Sequence, residues 1–449
     1  MKLSFFGATK EVTGSNFLLE TEEGKILIDC GLFQGGRHAE EKNYQPFPYS
    51  PKEIDFLLVT HSHIDHIGRI PKLVKEGFNG KIYCTRPVKD FAEIFLEDCA
   101  NIIKEEAEEL KIEPLFTQED VENCLQFFHP IDYHQEIKLS ENVSFVFKDA
   151  GHILGSAFIE IFAFGKKIVF SGDLGNPPVP LLAPTEFTSD ADYLIIESTY
   201  GSRIHESPIE RKLKLERAIE DTVAQKGVLL IPSFAMERTQ ELLYELNDLV
   251  EHFRVPRVPI FLDSPLAIKA TEIYKKYPDY FNKEAFYLIK SGDDLFKFPG
   301  LKFTPTVEES KKINEIPPPK VIIAGSGMST AGRILFHEKL YLSDPKNLLL
   351  IIGYQVSGTL GRKIFDGAQE VKILGEKVKV QAKVKAIGAY SAHADQPKLV
   401  YWVRKAGRVK RVFIVHGEED SATALACKIR DELGIATEVP DYGSTVELT

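Results

Sequence analysis

Short apolar runs recur along this chain, and several of them end abruptly in histidine or carboxylate residues. Ile54-Asp55-Phe56-Leu57-Leu58-Val59-Thr60 reads as a buried strand. It runs directly into His61-Ser62-His63-Ile64-Asp65-His66. Before it, Lys2–Phe6, Asn16–Glu20 and Lys25–Asp29 predict a β-meander, with turns at Thr13-Gly14 and Glu23-Gly24. Residues 86–128 read as helical, with Glu105, Glu106, Glu108 and Glu109 on a solvated face. Three more strands follow. Val143–Phe147 leads to Asp149-Ala150-Gly151-His152, Lys167–Phe170 to Ser171-Gly172-Asp173, and Tyr193–Ile196 to Glu197-Ser198-Thr199-Tyr200-Gly201.

From about Ser202 the pattern changes to helical, charged stretches alternating with apolar strands. That alternation predicts a parallel sheet flanked by helices, an α/β arrangement. Val228–Ile231 ends in Pro232-Ser233-Phe234-Ala235 and opens a helix from Glu237, and Pro259–Leu262 ends in Asp263-Ser264-Pro265. Val321–Ala324 ends in Gly325-Ser326-Gly327-Met328, and Leu348–Ile352 in Gly353-Tyr354-Gln355 and then Ser357-Gly358-Thr359-Leu360-Gly361-Arg362. Ser- and Gly-led helix starts are natural phosphate cradles. Ser233, Arg238, Ser326, Gly327, Arg333 and Arg362 are the candidates for one. The first pattern then returns. Val384–Gly388 leads to Ser391-Ala392-His393, and Arg411–Val415 to His416-Gly417-Glu418. The expected organisation is 1–201, an insertion at 202–385, and 386–449 completing the first sheet.

The polar strand ends carry the chemistry. His61 and His63, leaving an extended segment, project to one side. Asp65 and His66 fall where the chain turns and can aim at a second centre. Asp29, at the end of a strand, could brace the histidine loop by hydrogen bonding. Glycines around His152 and Asp173 permit close backbone approach.

Composition changes the picture in two ways. The five cysteines lack metal-type spacing and read as reduced cytoplasmic core residues. The start turns polar at once, unlike a signal peptide, and no apolar run is long enough to span a bilayer. The net charge of −11 disfavours a nucleic-acid partner, but its distribution does not. Residues 1–201 carry 18 basic and 33 acidic residues, whereas 202–449 carry 37 and 33, and 362–411 carry 13 and 4.

His61-x-His63-x-Asp65-His66, with Asp29, His152 and Asp173, resembles the metallo-β-lactamase superfamily, and Glu197, His393 and His416 resemble the three extra motifs of its β-CASP branch. Glu197-Ser198-Thr199-Tyr200-Gly201 and Ser391-Ala392-His393 are similar to the RNA-cleaving type represented by the nuclease subunit of cleavage and polyadenylation specificity factor, in its short bacterial or archaeal form. The resemblance implies an αββα sandwich of two mixed sheets, an inserted β-CASP domain, and two zinc ions per chain in the cleft between them. It implies RNA as partner and no membrane, and it is compatible with a homodimer. In one respect the sequence departs from longer relatives: it starts directly at the lactamase-like strands and ends soon after His416, so the N-terminal KH domains of some archaeal members and the C-terminal domain of the RNase J group are not expected. In the implied site, His61, His63 and His152 hold one zinc and Asp65, His66 and His416 the other, with Asp173 bridging. Asp65 then orients the attacking water, His393 protonates the leaving oxygen, Glu197 orients His393, and Ser391 lies among the substrate contacts. The expected reaction is hydrolysis of RNA to 5′-phosphate and 3′-hydroxyl ends, as an endonuclease with 5′–3′ exonuclease as a second mode. A DNA nuclease, a small-substrate hydrolase and a scaffold that has lost its ligands are the alternatives. The histidine at 416 and the complete ligand set favour RNA cleavage.

Overall fold

The computed structural model describes residues 1–35, 37–205, 208–353, 355–356 and 358–449, without the side chains of Arg37, His38, Pro208, Ile209 and Ala389. Tyr354 and Ser357 of the expected phosphate turn lie outside the described residues. The chain forms two compact units: Met1–Pro177, Pro184–Ile204 and Ala392–Thr449 make one, and Pro178–Ala183 with His205–Ser391 the other.

The first unit has two seven-stranded mixed sheets. In one, the neighbours run Thr445–Glu447, Lys2–Phe5, Phe17–Thr21, Gly24–Ile28, Phe56–Leu58, Lys81–Thr85, Phe128–Ile131. In the other they run Thr437–Glu438, Arg411–Val415, Tyr193–Glu197, Lys166–Phe170, Ala157–Ala163, Val143–Asp149, Ile137–Lys138. Successive strand residues point to opposite faces, and here both faces are buried. Phe17, Leu19, Ile26, Ile28 and Leu58 join Phe145, Ile159, Ile168, Ile195 and Phe413 in one core between the sheets. Leu18, Leu27 and Leu57 from the same strands, with Val59 just after one of them, pack instead with Val88, Leu96 and Val121 of the helices Arg86–Leu110 and Gln118–Leu125. On the second sheet, Leu194, Ile196, Val412 and Ile414 pack with Leu399, Trp402, Leu425 and Ile429 of the helices Gln396–Lys405 and Glu419–Leu433. The layers are helix, sheet, sheet, helix, so the strands read as continuous apolar runs.

The second unit is built on a six-stranded sheet, every pair parallel. Its order is Leu301–Phe303, Ile260–Leu262, Lys320–Ala324, Val228–Pro232, Leu348–Ile351, Lys383–Ala386. Helices include Pro208–Gln225, Arg238–Glu251, Pro265–Lys276 and Ile334–Tyr341.

Three expectations need correction. The helical stretch 86–128 is two helices, Arg86–Leu110 and Gln118–Leu125, and Phe128 already begins a strand. Lys111 caps the first in the left-handed region (φ 56°), and Pro114 shortly after cannot continue a helix. A strand at Ala157–Ala163, not anticipated, forms a hairpin with Val143–Asp149. The strand expected at Val384–Gly388 is Lys383–Ala386 and pairs with Leu348–Ile351 in the second unit. His393 therefore does not follow a strand of the first sheets. It follows a single turn at Gly388–Tyr390 and is held by an isolated bridge to Gly175.

Candidate metal centre

The histidine loop starts where Phe56–Leu58 ends. His63 caps the short helix Ile64–Ile67 with extended backbone (φ −63°, ψ 146°), which puts Asp65 and His66 in its first turn. The loop is fixed from beneath by Asp29, 1% exposed and itself in the left-handed region. Its Oδ1 accepts from the Thr60 amide at 2.8 Å. Its Oδ2 accepts from the Thr60 hydroxyl at 2.9 Å, the Ser15 hydroxyl at 3.2 Å and His66 Nδ1 at 2.7 Å.

These contacts decide tautomers. The Thr60 hydroxyl gives its one proton to Asp29, so at 3.0 Å from His61 Nδ1 it accepts. His61 therefore carries its proton on Nδ1 and a lone pair on Nε2. His66 Nδ1 donates to a carboxylate, which leaves its Nε2 bare as well. The Thr199 hydroxyl donates to the His416 carbonyl at 3.1 Å and accepts from His416 Nδ1 at 3.2 Å, with the same result. Each freed Nε2 faces inward. His66 Nε2 and His416 Nε2 stand 3.0 Å apart, and His61 Nε2 is 3.1 Å from His63 Nδ1. Two bare nitrogens facing at 3.0 Å, as on His66 and His416, repel unless a cation lies between them.

The remaining distances sort the donors into two sets. His152 Nε2 is 3.3 Å from His63 Nδ1. Asp173 Oδ2 is 3.3 Å from His61 Nε2 and 3.5 Å from His152 Nε2. Four ligands about 2.0–2.1 Å from a tetrahedral zinc would stand about 3.3–3.4 Å from one another. Across the site, Asp65 Oδ2 is 3.2 Å from His416 Nε2, and Asp173 Oδ1 is 3.6 Å from His66 Nε2. Asp173 thus offers one oxygen to each group. Its Oδ1 is buried without a hydrogen-bond partner, as is His152 Nδ1. His and carboxylate donors in this number and spacing fit a pair of metal ions.

The glycines matter here for close approach. A methyl on Gly175 would lie 1.9 Å from the Gly151 carbonyl oxygen, so the loops carrying Asp173 and His152 touch through backbone. Burial pushes the His61, His63 and His152 imidazoles below their usual range, toward the neutral, ligating form. Burial alone would raise the Asp173 carboxyl, but His416, His66, His61 and His393 hold it well below the carboxylate range.

Glu197 and His393 stand beside this cluster. Glu197 is fully buried and accepts from the Leu174 amide at 2.7 Å. Its Oε2 is 3.1 Å from His393 Nδ1. His393 lies next to His152, ring centroids 4.5 Å apart, and keeps 19% of its side chain exposed.

The expected phosphate contacts lie in the second unit, in the loops and helix starts that follow its strands. Ser233 and Gly327 lie in the loops after adjacent strands. The Ser326 hydroxyl accepts from the Thr330 and Ala331 amides. Arg333 donates to Asp263 at 2.7 Å and to the Thr304 and Pro305 carbonyls, which commits its guanidinium inside the fold. Arg238 meets Glu241 at 3.4 Å, Arg362 pairs with Asp366 at 2.8 Å, and Ser391 is half-buried. Thr60 and Thr199, which set the tautomers, were not singled out from the sequence. Their one signal is a hydroxyl beside a ligand motif.

Sandwich and ligand cluster together define a member of the metallo-β-lactamase superfamily. The superfamily's domain profile matches residues 18–176, a β-CASP domain profile matches 239–364, and a Zn-dependent metallo-hydrolase RNA specificity domain profile matches 377–440. The chain is 41% identical to "Ribonuclease TTHA0252" of Thermus thermophilus, covering 95% of each. It is 33% identical to an "RNase J-like protein" of Methanocaldococcus jannaschii, covering 99% of each. With a "Transcription termination factor FttA" of Methanosarcina mazei it shares 32% identity, over 100% of this chain and 72% of that protein. A solved structure of a protein of unknown function from Enterococcus faecalis V583 shares the fold, with TM-score 0.56 at 12% identity over 100% of this chain and 99% of that one. The chain belongs to the β-CASP branch of the metallo-β-lactamase superfamily, a family of metal-dependent hydrolases.

Proposed function

We propose that this protein is a two-zinc ribonuclease that hydrolyses RNA phosphodiester bonds to 5′-phosphate and 3′-hydroxyl ends. The observation that carries the reading is the pair of inward-facing donor sets that share Asp173, with His61, His66 and His416 held in their ligating tautomers by Thr60, Asp29 and Thr199. His61, His63 and His152 would hold one zinc and Asp65, His66 and His416 the other, with Asp173 shared. When bound, two zinc ions would activate a water at neutral pH and stabilise charge on the phosphoryl oxygens.

The chain's own residues supply the rest. The free Asp65 oxygen can orient that water and accept its proton. Glu197 fixes the Nδ1 proton of His393, which leaves Nε2 to deliver a proton to the departing 3′-oxygen. RNA as substrate is supported by the RNA specificity profile and by relatives named as ribonucleases. A reducing, cytoplasmic setting is supported by five cysteines that form no disulfide.

The test compares metal content with hydrolysis of RNA, matched DNA and a simple ester. Zinc-dependent cleavage that favours RNA is the expected result. Equal rates on RNA and DNA, or ester hydrolysis alone, would overturn it.

A further inference from the structure

Phe234 stands apart from the rest of the second unit's core. It follows the Val228–Pro232 strand directly and keeps 37% of its surface exposed. The neighbouring strands on either side are Lys320–Ala324 and Leu348–Ile351. The loops after these two place Gly327 and Gly353 against the Phe234 ring. A methyl on Gly327 would lie 2.6 Å from the ring, and one on Gly353 2.9 Å. Both positions must therefore be bare for the ring to sit where it does.

The mount is rigid. The Gln355 side-chain amide donates to the Gly327 carbonyl at 2.9 Å and to the Gly353 carbonyl at 3.2 Å, tying the two glycine loops together. The Thr239 hydroxyl donates to the Phe234 carbonyl at 2.7 Å, and the Ser233 amide donates to the Ala324 carbonyl at 3.0 Å. An aromatic ring is thus backed by two glycine backbones and left partly open at the carboxyl end of a parallel sheet. That end is where open α/β sheets receive ligands. A ring that only filled space would gain from complete burial. Glycine backbones, in turn, give up conformational entropy to hold it.

We propose that Phe234 is a stacking platform for one nucleobase of a single-stranded RNA. The proposal rests on the reading that this protein acts on RNA. Base–aromatic stacking tolerates any sequence, because every base has a π-face. It also suits single-stranded RNA, whose bases can be splayed onto aromatic side chains.

The experiment is a cycle between protein variants and abasic substrates. Binding and cleavage of a single-stranded oligoribonucleotide are measured with an abasic residue moved along it, for wild type, Phe234→Ala, Phe234→Leu and Phe234→Trp. Melting temperature and metal content are read for each variant. Wild type should lose roughly 5- to 100-fold in affinity when one particular position is abasic. Phe234→Ala and Phe234→Leu should lose as much on intact RNA and nothing further at that position, with the loss carried in KM. Phe234→Trp should hold or tighten binding. If Phe234→Ala does not fold, the leucine and tryptophan variants, which both keep bulk, still decide. Phe234→Leu binding RNA as wild type does, or an abasic penalty that persists in the alanine or leucine variant, overturns the stacking role. A wild-type protein that neither binds nor cleaves RNA overturns the functional reading itself, and the stacking role with it.

Discussion

Asp29 shows how much one residue can determine. Its two oxygens meet the Thr60 amide, the Thr60 hydroxyl and His66 Nδ1, and through Thr60 it sets the tautomer of His61. Residues that orient ligating histidines are typically worth 10- to 100-fold in metal affinity. Asp29→Asn should therefore weaken metal binding by about that factor, read by competition with a chelator. Thr60→Val should show a smaller loss in the same direction, since Asp29 still holds His66. Unchanged affinity in both would mean the tautomers are set elsewhere. His393 has a different signature, because it lies outside the ligand set. His393→Ala should keep its metal and lose about 10²–10⁴-fold in turnover on RNA. A nitrophenyl phosphodiester, whose leaving group needs no proton, should be affected much less. Metal loss in that variant would make His393 a ligand instead.

At the scale of elements, the strands that carry ligands were legible because their apolar runs stop abruptly at polar residues. Phe56–Leu58, Lys166–Phe170 and Tyr193–Glu197 each lie within one residue or two of the expected limits or inside them. The sequence was less informative where an element's partner decides its place. Lys383–Ala386 has the composition of an exposed edge and nothing in it names the sheet it joins. Ala157–Ala163 is buried at all but one position, so it lacks the alternation that marks a half-buried strand. Hydrogen bonding of the candidate phosphate contacts was also invisible. Arg333 reads as a free cation near a helix start, yet it is held by Asp263.

The helix Ile334–Tyr341 carries a stability prediction of its own. Glu338 is fully buried, with Oε1 accepting from the Ser329 hydroxyl and Oε2 without a partner. Burial pushes its carboxyl up to about 7 from an ordinary 4.5. A raised carboxyl contributes stability that is complete below the unfolded value and is lost as pH rises through the folded value. Wild type should thus lose melting temperature between about pH 4.5 and 7 relative to Glu338→Gln, which has no proton to release. A gap between the two that stays constant with pH would contradict the assignment.

At the scale of the molecule, the charge is unevenly shared. The net of −11 comes from residues 1–201, with 18 basic against 33 acidic residues, while 202–449 carry 37 against 33. Phosphate contacts release counterions, so RNA affinity should fall steeply and linearly on a log–log plot against salt. A flat salt dependence would show that the basic half does not meet the backbone. The His/Asp cluster gathers residues from 61 to 416, and the close spacing of its motifs makes it legible in the sequence. The threonines that complete it were not, because a hydroxyl has no spacing rule.

In the proposed function, two metal ions held by these residues make the protein an RNA hydrolase. The most direct measurement is a zinc titration of the metal-free chain, with cleavage of a labelled RNA and its matched DNA followed at each addition. Activity should be absent at the start, rise until two equivalents of zinc per chain are bound, and favour RNA throughout. Full activity in the metal-free protein, saturation at a single equivalent, or equal cleavage of DNA would contradict it.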